Sequence, residues 1–518
     1  MPRCLALLLL LLACLAPGHA KTILSPGAES VAITVYRQPG RSSGAIDRKW
    51  PGGYALVTET RTLDLPRGDS VVRFEGVAEG LMPETAVLSG MPRGVREKNR
   101  DARLLSPAGL VDAYLKRSVT LRRTDLHTGK VTDQDAIISA GPTGGVILQT
   151  AQGYEALGCS GLPERMLYAR APADLSPRPT LSVIATSDRA VRATVQLTYL
   201  AQGFDWTADY VARMRPDGRS LDLMAWLTVA NGGVTGFSGA RLNVIAGQPN
   251  RRARSPGPRP VSDSLHLTCW PMDVTSTYPR WGLPPLDGPT AAMMERAQSI
   301  VVTGLRRTEM PAMLAAPAPP APPPPPPPPE DVGDLKLYRV PVAVDVAASG
   351  QKQVALLRQQ DVQAERLYAA TVGLRDGAGD SRPMTLRLRL QNRKDAGLGL
   401  ALPSGRVALF EDVGGASLLV GEANVADKAE GERVDYDIAT SADVRLSVRR
   451  LPVVERARQW MLVVSNARPF PVEAEVTIPH NIDPRPAGLE RRGNAWIWRV
   501  SVPAGDSVEY RYAERRSR

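Results

Sequence analysis

Histidine and cysteine are scarce, with four of each in 518 residues, and phenylalanine occurs only five times. That scarcity argues against chemistry built on clustered metal ligands. Outside the first twenty residues only His127, His266 and His480 remain, and none stands in a paired spacing such as His-Glu-x-x-His. His266 and Cys269 are three apart in an extended stretch, which puts them on opposite faces, so no metal site is expected there. Phosphate-cradling glycine loops and dinucleotide fingerprints are also missing, and no cofactor is expected. Past the N-terminus no apolar run approaches the roughly 20 residues needed to cross a bilayer, so no transmembrane span is expected there.

What is present starts at the N-terminus. Arg3, an apolar run from Leu5 to Leu15 and the small-residue end Gly18-His19-Ala20 read as a secretory signal peptide, with a mature chain beginning at Lys21 and a periplasmic or secreted destination. The alternative is a lipid anchor on Cys14, within Leu12-Ala13-Cys14. Cys4 and Cys14 leave with the signal, so Cys159 and Cys269 are the mature thiols. In an oxidising compartment they are either a disulfide or two separate buried thiols. A bond would close a loop of roughly a hundred residues and stabilise by about 4–5 kcal/mol in the loop-entropy account. The net charge of +11 is spread over the chain. It suits weak attraction to anionic surfaces better than a nucleic-acid footprint, and export argues further against nucleic acid.

Val191 to Gly247 carries the strongest strand pattern. Val191, Ala193, Val195, Leu197 and Tyr199 alternate with polar residues, Thr207 to Met214 runs into Pro216-Asp217-Gly218, and Leu221 to Val229 returns on one face until Asn231-Gly232-Gly233. Leu242, Val244 and Ala246 supply another return. A β-meander is expected here.

Within it, Asp205-Trp206-Thr207-Ala208-Asp209-Tyr210, then Leu221 to Asn231 (LDLMAWLTVAN), then Ala240-Arg241-Leu242 up to Ala246-Gly247, is similar to the signature of bacterial secreted proteins carrying the domain of unknown function 4139, some of whose distant relatives are labelled mucoidy inhibitor A. The resemblance implies an envelope protein of undefined activity and supplies no catalytic residues. Gly232-Gly233 stands where a Ser-Gly pair is common and Pro249 where a β-branched residue is common, and the coiled-coil heptads of some mucoidy relatives are missing.

On the N-terminal side, Val31 to Tyr36 and Tyr54 to Leu65 read as strands, the latter turning at Pro66-Arg67-Gly68-Asp69 into Val71, Val72 and Phe74. Glu84 to Leu88 is a further strand candidate, and Gln38 to Gly53 a long loop. Ser106-Pro107 is an N-cap followed by proline at the first helical position, with Leu110, Val111, Tyr114 and Leu115 on one stripe. This short helix leads into closely spaced strands over Val119 to Gln149, a pattern resembling a small SH3-like or Sm-like barrel. After Gly247, Arg251, Arg252 and Arg254 among prolines form either an anion patch or a solvated linker, Ala291 to Gln298 is a candidate for a second short helix, and Pro322 to Pro329 is a stiff polyproline spacer about 25 Å long. Short alternating segments then recur from Leu335 to Tyr512.

The expected fold is mainly β: antiparallel β-sandwiches, a small barrel, and one or two short helices. The expected division is a signal (1–20), an N-terminal β region (21–100), a barrel-like subdomain (101–160), the central meander (161–247), an Arg/Pro-rich and polyproline insertion (248–334), a continuing β region (335–448) and an immunoglobulin-like sandwich (449–518).

Asp205 and Asp209, four apart on an extended segment, share a face beside Trp206 and Tyr210. Two carboxylates with aromatics can hydrolyse a glycoside or grip a sugar. In the plainer alternative Trp206 and Tyr210 are core-edge aromatics and the carboxylates cap loop amides or pair with Arg213 or Arg215. Trp226 extends the same candidate surface, while Trp496 and Trp498 share a face of a later strand. Gly158-Cys159-Ser160-Gly161 looks like a nucleophile turn but has no strand-turn-helix context or assignable base. Two functional readings follow. One is a non-enzymatic binding or scaffold protein that meets an envelope protein or an anionic glycan; the alternative is a hydrolase of envelope polysaccharide using Asp205 and Asp209.

Overall fold

The structure, a computed structural model, describes residues 21–249 and 327–514 apart from 26, 42–43, 48, 102–104, 142–144, 159, 161, 173–174, 248, 374–375, 377, 455–456, 480–481 and 483–487. The signal segment with Cys14, both mature cysteines, His266, His480, the Arg251–Arg254 cluster, the Ala291–Gln298 helix candidate and most of the proline tract lie outside the described residues. The chain forms two compact units, one made of Met1–Ala102, Arg178–Pro260 and Pro325–Arg518, the other of Arg103–Pro177 and Val261–Pro324. Among the described residues both are built mainly of strands, and no helix is long and apolar enough to cross a membrane.

The smaller unit opens with the Pro107–Ala113 helix. Ser106 is extended at the N-cap, and its hydroxyl accepts from the Gly109 amide at 3.0 Å, satisfying one of the donors left free at a helix start. Val111 and Tyr114 pack on Val119, Leu121, Ala136, Ile138 and Leu148. The sheet order is Gly153–Ala156, Ile147–Thr150, Val131–Ala140, Ser118–Thr124, Glu164–Leu167. This corrects the expected SH3-like or Sm-like barrel. The first and last strands do not pair, so the sheet stays open. It curls far enough for Arg123 to hold Glu155 at 2.7 Å and Glu164 at 2.6 Å, one on each edge strand, but side-chain ion pairs join these edges where a barrel has a backbone ladder.

The larger unit stacks sheets in the manner of sandwiches. Four strands form one sheet, in which Lys21–Ser25 lies parallel to Gly68–Glu75. Nine form a second and twelve a third. Gly68 adopts φ +97, as its place at the turn requires. Glu84–Leu88 is not one strand: a 3-10 turn over Pro83–Thr85 precedes a three-residue strand, Val87–Ser89.

The expected meander is not what forms. Phe204–Met214 and Ser220–Asn231 are a hairpin, Met214 facing Leu221. Val191–Gln202, however, pairs with Tyr54–Leu65, and Phe237–Ala246 runs parallel to Ser30–Tyr36. The inner two strands therefore lie in the twelve-stranded sheet and the outer two in the nine-stranded one, with the chain crossing layers at Gly203 and again after Asn231. Alternation specifies that a strand has an apolar face, and a neighbour beside it or a layer opposite it meets that need equally. Gly203, at φ +82, makes the first crossing, and a Cβ there would lie 2.9 Å from the Trp50 ring.

One layer of the core is charged. On Tyr54–Leu65 the inward series Ala55, Val57, Leu63 and Leu65 is interrupted by Glu59 and Arg61, which are 0% and 1% exposed. Arg61 donates to Glu59 at 2.9 and 2.5 Å and to the Ser25 and Glu75 carbonyls, while the Tyr199 hydroxyl donates to the other Glu59 oxygen at 2.5 Å and accepts from the Ala78 amide. Burial, then the Glu59 charge, pushes the Tyr199 hydroxyl well above its usual range.

Two strands of 22 residues, Gly350–Thr371 and Arg433–Val454, run from the large central core into a second one. Val362, Val434 and Tyr436 belong to the first, and Tyr368, Val444 and Leu446 to the second, which Trp460, Leu462, Val476, Trp498 and Tyr512 complete. Trp496 and Trp498 both pack against this second core.

Candidate functional site

Along Phe204–Met214 the even positions point inward. Trp206 and Tyr210 are 0% and 1% exposed, members of the central core and not of a ligand-facing surface. The Trp206 indole donates to the Ile245 carbonyl at 3.1 Å and carries the Arg37 guanidinium 4.4 Å above its ring. The Tyr210 hydroxyl donates to the Pro403 carbonyl at 2.6 Å, and burial pushes it well above the usual tyrosine range.

The odd positions, Asp205, Thr207 and Asp209, share the opposite face, and the two carboxylates meet different fates. Asp205 is fully buried. Its Oδ1 accepts from the Gln38 amide at 3.0 Å, the Trp206 amide at 2.8 Å and the Arg41 guanidinium at 2.7 Å. Arg41 also donates to the Trp206 carbonyl at 2.8 Å. Neither Arg213 nor Arg215 is the partner of Asp205, and Arg215 pairs instead with Asp222 and Asp361. Asp205 thus holds loop 38–53 against the start of the strand, and the Trp50 packing at Gly203 braces the loop's far end.

Asp209 remains half-buried. Its Oδ2 accepts from the Thr228 hydroxyl at 2.9 Å, and Thr228 in turn accepts from the Gln353 amide at 3.1 Å. Arg406 stands 3.7 Å from Oδ1, a loose ion pair with 62% of the arginine side chain exposed. The register explains the grouping. Asn424, Arg406, Asp209 and Trp226 face one another across four neighbouring strands, and Thr207, Thr228 and Gln353 form the adjacent row.

These rows floor a cavity of about 230 Å³, with Gly44, Ala45 and Ile46 of the loop as a wall. Its groups are one carboxylate, one guanidinium, two hydroxyls and three carboxamides. Such a set donates to and accepts from a polar ligand at many points. Trp226 is half-buried and directly across from Asp209 on the next strand. A second cavity, of about 250 Å³, is more apolar and is bounded by Pro327 to Pro329, Tyr338, Leu356 and Leu400.

Of the residues singled out in the sequence, Asp209 lines the first cavity; Trp226 lies opposite Asp209 on the neighbouring strand, outside the lining; Asp205 braces the wall, and Trp206 and Tyr210 support the strand from behind. His127 lies exposed in a turn whose amides cap onto Asp125. Among the described residues no three His, Cys, Asp or Glu side chains converge as metal ligands. Arg41, Arg406, Thr228, Gln351, Gln353 and Asn424 escaped sequence reasoning because they come from separate segments and carry no local motif. Compared with protein-family models and with curated proteins, the sequence matches none.

Proposed function

We propose that this is an exported, non-enzymatic binding protein of the cell envelope, and that the cavity over Asp209 takes a segment of anionic glycan. The reading rests on one observation: the strand's two carboxylates are divided between jobs, Asp205 buried as a brace and Asp209 left facing the cavity. In the complex Arg406 pairs with a ligand carboxylate or sulfate, Asp209 and the carboxamides take hydroxyls, and Trp226 lies along a sugar ring. The leader-like N-terminus, the positive net charge and the resemblance to the domain of unknown function 4139 support an envelope setting. The hydrolase alternative has less support. Four residues of extended strand separate the Asp205 and Asp209 backbones by about 13 Å, whereas glycosidase carboxyls work roughly 5 to 10 Å apart and must both reach substrate.

Calorimetric titration with acidic and neutral envelope oligosaccharides tests the proposal. Acidic oligosaccharides are expected to bind, and Asp209→Asn and Arg406→Gln each to weaken binding by roughly tenfold or more, the loss of one charge-assisted hydrogen bond. Equal affinity of wild type and both variants would sink the proposal, and so would turnover of the glycan abolished by Asp209→Asn.

A further inference from the structure

The twelve-stranded sheet ends at Ala416–Val425, which pairs with Gly405–Val413 through the Gly414-Gly415 turn. Both turn glycines have positive φ, as a two-residue hairpin loop of this kind demands. The outer side of the end strand is only partly covered. At Gly421 the carbonyl of Ile438 comes so near that an added Cβ would lie 2.2 Å from it. From Ala416 to Val420 no described strand pairs with that side. Leu418 and Leu419, on opposite faces, are 52% and 54% exposed, and Val413 across the turn is 58% exposed. Edge strands are normally guarded by lysine, proline or an inward charge. Here Gly414 to Gly421 carries no charge and no proline, in a chain with 64 basic and 53 acidic residues.

We propose that this edge pairs with the same edge of a second copy of the chain, antiparallel and centred on Leu418. Antiparallel pairing of identical strands about a twofold axis is self-complementary and places one residue opposite itself. Centring on Leu418 uses the whole free edge: Leu418 meets Leu418 of the second copy, Ser417 meets Leu419, and Ala416 meets Val420. Beyond Val420 the edge is covered at Gly421 by Ile438, so Glu422 takes no part in the pairing and no like charges are opposed. The flanking Asp412 and Glu422 favour this occupant over a lipid surface, whose anionic head groups they repel.

Sedimentation equilibrium of the full chain over a range of concentrations is the test. The wild type is expected to pass from monomer to dimer as concentration rises. Leu418→Lys, which sets two ammonium groups together at the axis, is expected to weaken the dimer at least about tenfold, or 1.4 kcal/mol, with its melting temperature as a monomer unchanged. Leu418→Cys is expected to yield a covalent dimer on a non-reducing gel. A wild type that stays monomeric at every concentration overturns the proposal. So does a dimer indifferent to Leu418→Lys, or a monomer that instead floats with phosphatidylglycerol vesicles.

Discussion

The guanidinium of Arg41 sits 2.7 Å from the carboxylate of Asp205, a bond that spans 164 positions of sequence and leaves the two side chains 9% and 0% exposed. It turns a loop into the wall of a cavity, and it separates the roles of two aspartates that look alike in sequence.

Asp205→Asn removes the charge that balances buried Arg41, and breaking a buried pair from one side costs about 3–5 kcal/mol. Asp209 is partly solvated, its ion pair with Arg406 is loose, and an asparagine there keeps an oxygen to accept from Thr228, so Asp209→Asn is expected to change stability by no more than about 1 kcal/mol. Urea denaturation of both variants checks the contrast, and equal losses would refute it.

The Glu59–Arg61 pair belongs to a layer of the core with its remaining hydrogen bonds satisfied. Either Glu59→Leu or Arg61→Met alone is expected to destabilise by about 3–5 kcal/mol, and the two together by less than the single losses added together. A double-mutant cycle in guanidinium chloride measures the coupling.

Arg389 bonds to both oxygens of Glu475, at 2.8 and 2.9 Å, and Arg492 adds a third contact at 3.0 Å. Burial pushes the Glu475 carboxyl up, but these hydrogen bonds outweigh it and hold it at about 2, below its ordinary 4.5. A carboxyl lowered by folding stabilises above its unfolded pKa and loses that contribution as pH falls through the folded one. Stability is therefore expected to drop between about pH 4.5 and 2, and Glu475→Gln to lack this portion of the drop. Denaturation curves taken across that window decide it.

Gly203→Ala forces a side chain into φ +82 and against Trp50, and is expected to cost about 1–3 kcal/mol. Adding Trp50→Ala removes the clash but not the backbone strain, so recovery measured by thermal melting should be incomplete.

Strands such as Tyr54–Leu65, the Ser106 cap and the Pro107 start of the helix were legible locally, because period-two alternation and capping chemistry act within a few residues. The face shared by Asp205 and Asp209 was legible for the same reason. Two things were not. One was which sheet each strand joins: Val191–Gln202 and Phe204–Met214 are consecutive and equally amphipathic, yet they lie in different layers. The other was which carboxylate stays open, since that depends on Arg41, Thr228 and Arg406, brought together from distant segments.

The sequence by itself determined that this chain is mainly β, where most of its strands run and which of their faces are apolar, since alternation along one segment carries that information. Tertiary structure alone decided the open curl of the smaller sheet, the crossing of the chain between layers, and the burial of Asp205 beside an accessible Asp209. Those outcomes depend on pairing register and on close approach between residues far apart in sequence, and no local pattern encodes either.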